Sequence, residues 1–202
     1  MNIQQIVRLS ELLGKMGEVK RATHLPNGEP EPDSHHSFSL ALIAYHIAVD
    51  VCPELDANRV MLFALAHDLL EIITGDEDTL HYTVEQHVGK KLREIEAVKE
   101  FNKIFADYPE LKQAMHDYEK LDSPEAATVF VLDKACTTWT WLHHPDVKTH
   151  AVVRGITTKA DVEEWMNRQR HKFTVRLKVE PPRAIIDIYE QSFDAMKGLY
   201  ET

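Results

Sequence analysis

The stretch FALAHDLLEIITGDED, residues 63–78, places charged side chains inside an otherwise apolar segment. In the range 60–73, eleven of fourteen residues are apolar, and the exceptions are His67, Asp68 and Glu71. A helix that is apolar nearly all round lies in a protein core. Because an ionised carboxylate left unpaired in a core costs much free energy, we expect these acids to pair with a cation or to bind a metal ion.

Two further segments place potential metal ligands in similar surroundings. On a helix, His67 and Glu71 lie one turn apart with Asp68 beside them, so these three side chains can converge. The sequence SHHS at 34–37 falls at the start of the preceding helix, and Asp133 lies within the apolar run AATVFVLDKACTTW. Two imidazoles and two carboxylates make a mixed nitrogen and oxygen site for a divalent first-row metal ion, with positions left for water and substrate.

The apolar periodicity is helical along nearly the whole chain, and no convincing alternation of a strand is visible. It predicts helices at about 2–16, 34–51, 57–73, 83–106, 109–119, 124–142, 158–173 and 182–200. A loop is predicted at 24–34, where three prolines fall, and an irregular or extended segment at 145–157. The fold class is therefore all-α, and a single domain over residues 1–202 is the simplest organisation.

The bulk composition argues against several classes of function. The 202 residues carry 23 Lys and Arg against 33 Asp and Glu, a net charge of −10. This balance disfavours nucleic acid as a partner, because such binding depends on neutralising phosphates. Cys52 and Cys136 are expected as buried thiols in a reducing compartment. No stretch resembles a signal peptide or is long enough to span a bilayer, so we expect a cytoplasmic protein without a membrane partner.

The ordered motifs H…HD…D and E…TGD resemble those of metal-dependent HD-domain phosphohydrolases. The matching stretches are SHHS at 34–37, HDLLEIITGD at 67–76 and VLDKA at 131–135. The resemblance is closest to the bacterial 5′-deoxyribonucleotidases and their eukaryotic relatives, and it covers about residues 3–142. It implies an HD-domain helical bundle as the motif-bearing core, with residues from about 145 to 202 as a C-terminal helical extension.

The resemblance also implies roles for particular residues. It implies four ligands of one divalent metal ion, which are His36, His67, Asp68 and Asp133. Glu71 and Asp76 would act near the attacking water and the leaving group, and either carboxylate could take either role. Arg21, fifteen residues before the first metal histidine, would hold two phosphate oxygens in a bidentate fork. Such a site accepts Mn, Co, Fe, Zn or Ni, whereas Mg is a poorer partner for two imidazoles.

Two departures from the family leave the base and sugar preference open. Ala22 follows Arg21 where the bacterial nucleotidases have tryptophan, and His35 precedes His36 where the subgroup commonly has Glu or Asp. His35 is either an exposed residue of the first helical turn or a second imidazole of a dinuclear variant. The segment beyond about 145 carries no motif that maps onto the family.

The leading hypothesis is a metal-dependent phosphomonoesterase acting on a small phosphorylated substrate, a nucleoside 5′-monophosphate with deoxyribonucleotides included. The alternatives are an HD hydrolase of a triphosphate, pyrophosphate or cyclic ester, and a non-catalytic nucleotide-binding HD module. A homodimer is compatible with the amphipathic tail helices and with the aromatic segment TTWTWL at 137–142. The tryptophans of the chain are expected in the core or in a dimer contact rather than as stacking platforms for bases.

Overall fold

Helices dominate the fold in a computed structural model, which describes residues 2–76, 84–143 and 146–200. In chain order, the elements of these residues are α1 (Ile3–Glu18), β1 (Lys20–His24), β2 (Pro30–Pro32), α2 (Asp33–Asp50), α3 (Ala57–Ala66), α4 (Glu71–Thr74), α5 (Val84–Ile104), α6 (Pro109–Lys120), α7 (Pro124–Leu142), α8 (Val147–Val153), α9 (Lys159–Arg176) and α10 (Arg183–Gly198). The predicted all-α class is confirmed, and the two short strands are an addition to it.

A side-chain cap sets the start of α7. Ser123 Oγ accepts a hydrogen bond from the amide of Ala126 at 3.2 Å, and Pro124 occupies the first helical position. The predicted helix start at this Ser-Pro pair is confirmed. The cap thereby fixes the helix that carries Asp133. The first residue of the helix predicted at about 83–106 lies outside the described residues.

A short antiparallel hairpin forms in the region of the predicted loop at 24–34. β1 and β2 flank a turn in which Gly28 has a φ of 83°, a value that favours glycine. Pro30 and Pro32 lack amide hydrogens, which suits an edge strand, and Glu31 between them is only 2% exposed. The hairpin brings both strands to the start of α2. Neither strand has an alternating apolar pattern, so the sequence did not reveal them.

The prediction of one helix over about 57–73 is wrong, because α3 ends at Ala66 and turns separate it from α4. His67 Nδ1 lies 2.8 Å from the carbonyl oxygen of Ala64, which in a continuous helix would accept from the amide four residues later. The chain then tightens, and the amide of Leu69 donates to the carbonyl of Ala66 at 3.2 Å. The apolar pattern continues through this break, so periodicity alone cannot show it.

Helix α8 occupies part of the segment at 145–157 that the sequence predicts as irregular or extended, so this prediction is wrong. The helix buries Ala151, and the following Gly155 has a φ of 73° before the buried Ile156. Contacts with α7 hold this short helix in place. Such tertiary packing overrides a weak local pattern.

The buried apolar side chains of the long helices form one continuous core. α2 and α3 pack on each other and on α7, and α10 packs on α7 and α9. Trp141 and Trp165 are 1% and 4% exposed, which confirms their expected place in the core. Cys52 and Cys136 are buried free thiols, as predicted. Among the described residues, no helix is both long and apolar enough to cross a bilayer. The single-domain organisation stays a prediction.

Candidate metal centre

Three buried side chains from different helices meet in the core. His36 of α2, His67 at the end of α3 and Asp133 of α7 each bring one ligand atom within 4.8 Å of the other two. His36 Nε2 lies 3.0 Å from Asp133 Oδ1, and His67 Nε2 lies 3.9 Å from the same oxygen. The structure therefore brings together three of the four ligands that the sequence predicts. The fourth, Asp68, lies beside them, with Oδ2 at 2.9 Å from His67 Nε2.

A backbone contact orients the ring of His67. The carbonyl oxygen of Ala64, 2.8 Å from Nδ1, can only accept a hydrogen bond, so Nδ1 carries a proton. Nε2 is buried and faces Asp68 Oδ2 at 2.9 Å and Asp133 Oδ1 at 3.9 Å. Burial would lower the pKa of His67, but the Asp68 carboxylate outweighs burial and raises it. The two carboxylates near Nε2 thus favour a positive charge at this position. An imidazole nitrogen in such surroundings is a suitable ligand for a divalent metal ion.

Asp68 links this cluster to a buried arginine. Arg21 Nη1 donates to Asp68 Oδ2 at 3.2 Å and to Asp33 Oδ1 at 3.3 Å, and its Nε lies 3.6 Å from Glu31 Oε2. Burial would raise the pKa of Asp68, but His67 and Arg21 outweigh it and hold this pKa below its usual range. Burial would lower the pKa of Arg21, but Asp68 and the other carboxylates raise it. Arg21 is therefore a partly buried, permanently charged group that faces several carboxylates.

Asp133 is held between a histidine and a lysine. Its Oδ1 faces His36, and the ammonium of Lys134 donates to its Oδ2. Burial would raise the pKa of Asp133, but Lys134 and then His36 hold it well below the usual range. Both predicted aspartate ligands are thus ionised, the state in which a carboxylate binds a metal ion.

Glu71 and Asp33 form a carboxyl pair next to Arg21. One oxygen of each lies within 4.8 Å of the other and of an Asp68 oxygen. Asp33 Oδ2 and Glu71 Oε2 are buried and have no hydrogen-bond donor among the described residues. Burial, reinforced by the Asp68 charge, raises the pKa of Glu71 to about 12. A proton on Glu71 that points to Asp33 would satisfy both oxygens.

Asp76 and His35 lie at the edge of this arrangement. Asp76 follows Gly75, is partly buried, and contributes to the raised pKa of Arg21, so its carboxylate is near the guanidinium. The side chain of His35 is 51% exposed, and its Nδ1 lies 3.3 Å from Glu31 Oε1. Of the two alternatives for His35, the structure supports the exposed residue of the first helical turn.

Sequence reasoning missed three charged residues of the centre. Asp33 is fully buried at the start of α2, where Pro32 holds the cap position. Glu31 is also buried, and Lys134 contacts a predicted ligand. The spacing of Glu31 and Asp33 could have indicated that they face the same side, because the side chains of residues two apart in extended backbone point in the same direction.

A family model of the HD domain matches residues 13–170, a range that contains every residue of the centre. The chain belongs to the HD domain family. The resemblance found in the sequence is thereby confirmed, and so is the helical fold that it implied.

Curated relatives of this HD domain protein are similar at low identity. A 5′-deoxynucleotidase of Yersinia pestis (strain Pestoides F) is 25% identical over 195 residues, 91% of this chain and 96% of that protein. Human 5′-deoxynucleotidase HDDC2 is 28% identical over 135 residues, 65% of this chain and 64% of that protein. The match to 5′-deoxynucleotidase VP0926 of Vibrio parahaemolyticus, 29% identical, covers 48% of this chain and 52% of that protein. The chain thus spans less than two thirds of the length of several of these relatives.

A solved structure has the same fold over nearly the whole chain. It is the crystal structure of a predicted metal-dependent phosphohydrolase from Magnetospirillum magnetotacticum MS-1, with a TM-score of 0.68 and 20% identity. The match covers 98% of this chain and 97% of that one, so it includes the C-terminal helices that carry no motif. At this identity the likeness shows the fold alone.

Proposed function

We propose that this HD domain protein is a metal-dependent phosphohydrolase that removes phosphate from a nucleoside 5′-monophosphate, deoxyribonucleotides included. The observation that carries the proposal is the buried Nε2 of His67, which lies 2.9 Å from Asp68 Oδ2 and 3.9 Å from Asp133 Oδ1. The names of the Yersinia, Vibrio and human relatives, all 5′-deoxynucleotidases, support the substrate class.

The proposed ligands of the metal ion are His36, His67, Asp68 and Asp133. Two imidazoles and two carboxylates suit one Mn, Co, Fe, Zn or Ni ion better than Mg. When bound, such an ion polarises a phosphoryl oxygen and lowers the pKa of a water molecule that it holds. The Ala64 carbonyl orients His67 and the Lys134 ammonium orients Asp133, contacts that set ligand direction in metal sites.

Three further residues act on the substrate in this proposal. Arg21 meets the phosphate, but its Nη1 already donates to Asp33 and Asp68. A bidentate fork, as expected from the sequence, would therefore use guanidinium donors other than those of Nη1. Glu71 and Asp76 supply the proton transfers that hydrolysis needs, one for the attacking water and one for the leaving 5′-oxygen.

A homodimer completes the proposal, with α2 as its surface. In the aromatic segment expected to allow a dimer, Trp141 is buried at 1% exposure and so is not available for a contact with a second copy. On α2, by contrast, the apolar side chains of Phe38, Leu42, Tyr45 and Val49 are 37% to 58% exposed. Their spacing of four, three and four residues is that of a helix-pairing seam. A two-fold axis would bury this seam of one copy against the same seam of the second.

The dimer can be tested by size-exclusion chromatography with light scattering. We expect Leu42→Glu to convert a dimer of the wild-type protein into a monomer. Val175→Glu is the control, since Val175 is a 67% exposed apolar residue of α9, away from the seam. A wild-type monomer at all concentrations would contradict the dimer.

We also place the protein in the cytoplasm, because a reducing compartment suits the two free thiols Cys52 and Cys136. Partners other than a small phosphorylated substrate and a second copy are not part of the proposal. The net charge of −10 continues to disfavour nucleic acid.

The activity is tested by phosphate release from a panel of nucleoside 5′-monophosphates, with protein stripped of metal and reloaded with Mn²⁺ or Co²⁺. We expect metal-dependent turnover that His67→Ala and Asp68→Ala abolish. His46→Ala is the matched control, since His46 is 78% exposed and lies on the surface, where it pairs with Asp50 at 3.2 Å. If the protein binds a stoichiometric amount of metal but hydrolyses no monophosphate, the assigned substrate would change to a pyrophosphate, triphosphate or cyclic ester. Absence of metal binding would favour a non-catalytic module.

A further inference from the structure

Arg21 and Glu31 lie opposite each other in the hairpin that precedes α2. The register pairs Lys20 of β1 with Pro32 of β2, so one residue further into the hairpin Arg21 comes beside Glu31. Arg21 Nε lies 3.6 Å from Glu31 Oε2. Opposite charges in such a cross-strand position attract each other. The hairpin therefore carries a counter-charge for the guanidinium that it brings to the centre.

The carboxyl group of Glu31 is buried, although its strand is short and polar. The residue is 2% exposed, and its second oxygen, Oε1, lies 3.3 Å from His35 Nδ1. Pro30 and Pro32 on either side have no amide hydrogen to donate across the hairpin. Because a buried carboxylate without a partner costs much free energy, the pairing with Arg21 has to compensate for this burial. The position of Glu31 thus ties its carboxylate to Arg21 rather than to solvent.

Carboxylates hold the Arg21 guanidinium at two of its three nitrogens. Nη1 donates to Asp33 Oδ1 at 3.3 Å and to Asp68 Oδ2 at 3.2 Å, whereas the buried Nε faces Glu31. In the part of the chain that the structure describes, only Nη1 is hydrogen-bonded. The two N–H groups of Nη2 are therefore available to a ligand.

The contact at Nε has a geometric consequence, because a guanidinium is a rigid plane. Asp33 and Asp68 contact the same nitrogen, so by themselves they leave the plane free to swing about Nη1. Glu31 supplies a second point of attachment on the side of Nε. Two points of attachment fix both the plane and its rotation, and with them the direction in which Nη2 points.

We propose that Glu31 is a positioning residue for Arg21, whose carboxylate holds Nε and thereby turns Nη2 to the substrate phosphate. The proposal rests on the proposed phosphohydrolase function, in which Arg21 meets the phosphate, and it adds the residue that orients this cation. Glu31 itself does not touch the substrate.

The negative charge of Glu31 also has an effect that opposes its positioning role. A carboxylate near the phosphate position repels an anion, whatever the orientation of Arg21. This repulsion persists when Arg21 is replaced, whereas a positioning effect disappears with the residue that is positioned. The same substitution at Glu31, made with and without Arg21, therefore separates the two effects.

The test measures the Kd of inorganic phosphate for the full chain loaded with Co²⁺, whose visible absorption reports the arrival of phosphate without turnover. Glu31→Gln removes the charge and keeps the size of the side chain, and it is made in the wild-type protein and in Arg21→Gln. Glu29→Gln is the matched control, because Glu29 is an exposed glutamate of the same hairpin that accepts from Asn27 at 3.3 Å. Glu31→Asp shortens the reach to Nε and replaces Glu31→Gln if that variant folds poorly.

We expect Glu31→Gln to raise the Kd for phosphate roughly tenfold when Arg21 is present, the effect of one charge-assisted hydrogen bond that loses its alignment. In Arg21→Gln the same substitution should change the Kd by less than about twofold, because the cation that Glu31 orients is missing. Glu29→Gln should match wild type. The Co²⁺ affinity should be equal in wild type, Glu31→Gln and Glu29→Gln, since neither glutamate is a proposed ligand.

Four results would overturn the proposal. An equal rise in Kd with and without Arg21 would make Glu31 a structural residue of the hairpin only. A lower Kd in Glu31→Gln would mean that repulsion of the anion outweighs positioning. The third result is an unchanged Kd in Arg21→Gln, and the fourth is the absence of phosphate binding to the wild-type protein.

The proposed function fails in a different way. If phosphate binds with the expected dependence on Glu31 and Arg21, but the protein hydrolyses no nucleoside monophosphate, the activity is refuted. The positioning of Arg21 by Glu31 would then stand as part of a phosphate-binding site.

Discussion

His67 Nδ1 donates to the carbonyl oxygen of Ala64 at 2.8 Å, and this contact orients the imidazole at the residue that follows the end of α3. The chain turns at the residues after His67. The same bond places the proton on Nδ1 and leaves Nε2 to face Asp68 and Asp133. The helix therefore breaks at the residue whose imidazole is the proposed metal ligand.

This geometry predicts that a divalent metal ion stabilises the protein through His67. At a concentration of about 100 times its Kd, an ion that binds only the folded state adds about 2.7 kcal/mol to the free energy of unfolding. For a chain of this size we expect Mn²⁺ or Co²⁺ to raise Tm by about 5–10 °C. His67→Ala should abolish this shift, as measured by differential scanning fluorimetry with and without a chelator.

His46→Ala serves as the control for this experiment, because the exposed His46 lies outside the centre. Its metal-induced shift should equal that of the wild-type protein. An unchanged shift in His67→Ala would mean that the stabilising ion binds elsewhere, and the ligand assignment would be wrong.

The sequence predicted helix positions well where each helix has its own apolar face or cap. α7 begins at Ser123 and Pro124 as expected, because capping is a local interaction that three or four residues determine. The break after Ala66 was not predictable, since Leu69 and Leu70 continue the apolar pattern across it. The hairpin was missed for a related reason: a turn and the edge of α2 stabilise its strands, and their own residue pattern does not.

The charged centre shows the same limit. His67 and Asp68 stand out because they interrupt an apolar run, and Asp133 does so in α7. Glu31 and Asp33 lie in a polar, proline-rich stretch where acids usually face solvent, so their burial depends on the tertiary position of Arg21. Periodicity and composition can indicate an ionisable group in apolar surroundings, but they cannot indicate which polar segment the fold will bury.

The turn that carries Asp76 gives a second prediction. α4 ends at Gly75, whose φ of 70° is unfavourable for other residues, and an added Cβ would meet no atom of the described residues within 4 Å. Gly75→Ala should therefore lower the free energy of unfolding by about 1 kcal/mol through backbone strain alone. We also expect reduced phosphohydrolase activity, because the strain displaces the neighbouring Asp76.

Gly14 offers the matched comparison, since it lies within α1 and an added Cβ would again meet no atom within 4 Å in the part of the chain that the structure describes. Gly14→Ala should raise the free energy of unfolding by about 0.5–1 kcal/mol, because alanine is the better helix former. Urea denaturation measures both variants. If both substitutions changed the free energy of unfolding equally and in the same direction, the positive φ of Gly75 would have no effect on stability.

Because the carboxyl group of Glu71 is buried among other carboxylates, we expect it to lower the free energy of unfolding of the metal-free protein. Burial, together with the charge of Asp68, raises the pKa of Glu71 from 4.5 to about 12 in the folded state. A carboxyl group with a raised folded pKa favours the unfolded state increasingly as pH rises above the unfolded value of 4.5. Glu71→Gln keeps a donor for Asp33 but cannot ionise, so it lacks this loss of stability.

We therefore expect chelator-treated Glu71→Gln to match wild type near pH 4 and to be more stable by about 1–3 kcal/mol at pH 7.5. Urea denaturation at a series of pH values provides the measurement. Glu96→Gln, a 73% exposed site on α5, should show no such trend. If Glu71→Gln were the less stable protein at pH 7.5, Glu71 would be ionised and stabilised by Arg21. It would then be a poor proton donor to the leaving oxygen, and Asp76 would have to take that role.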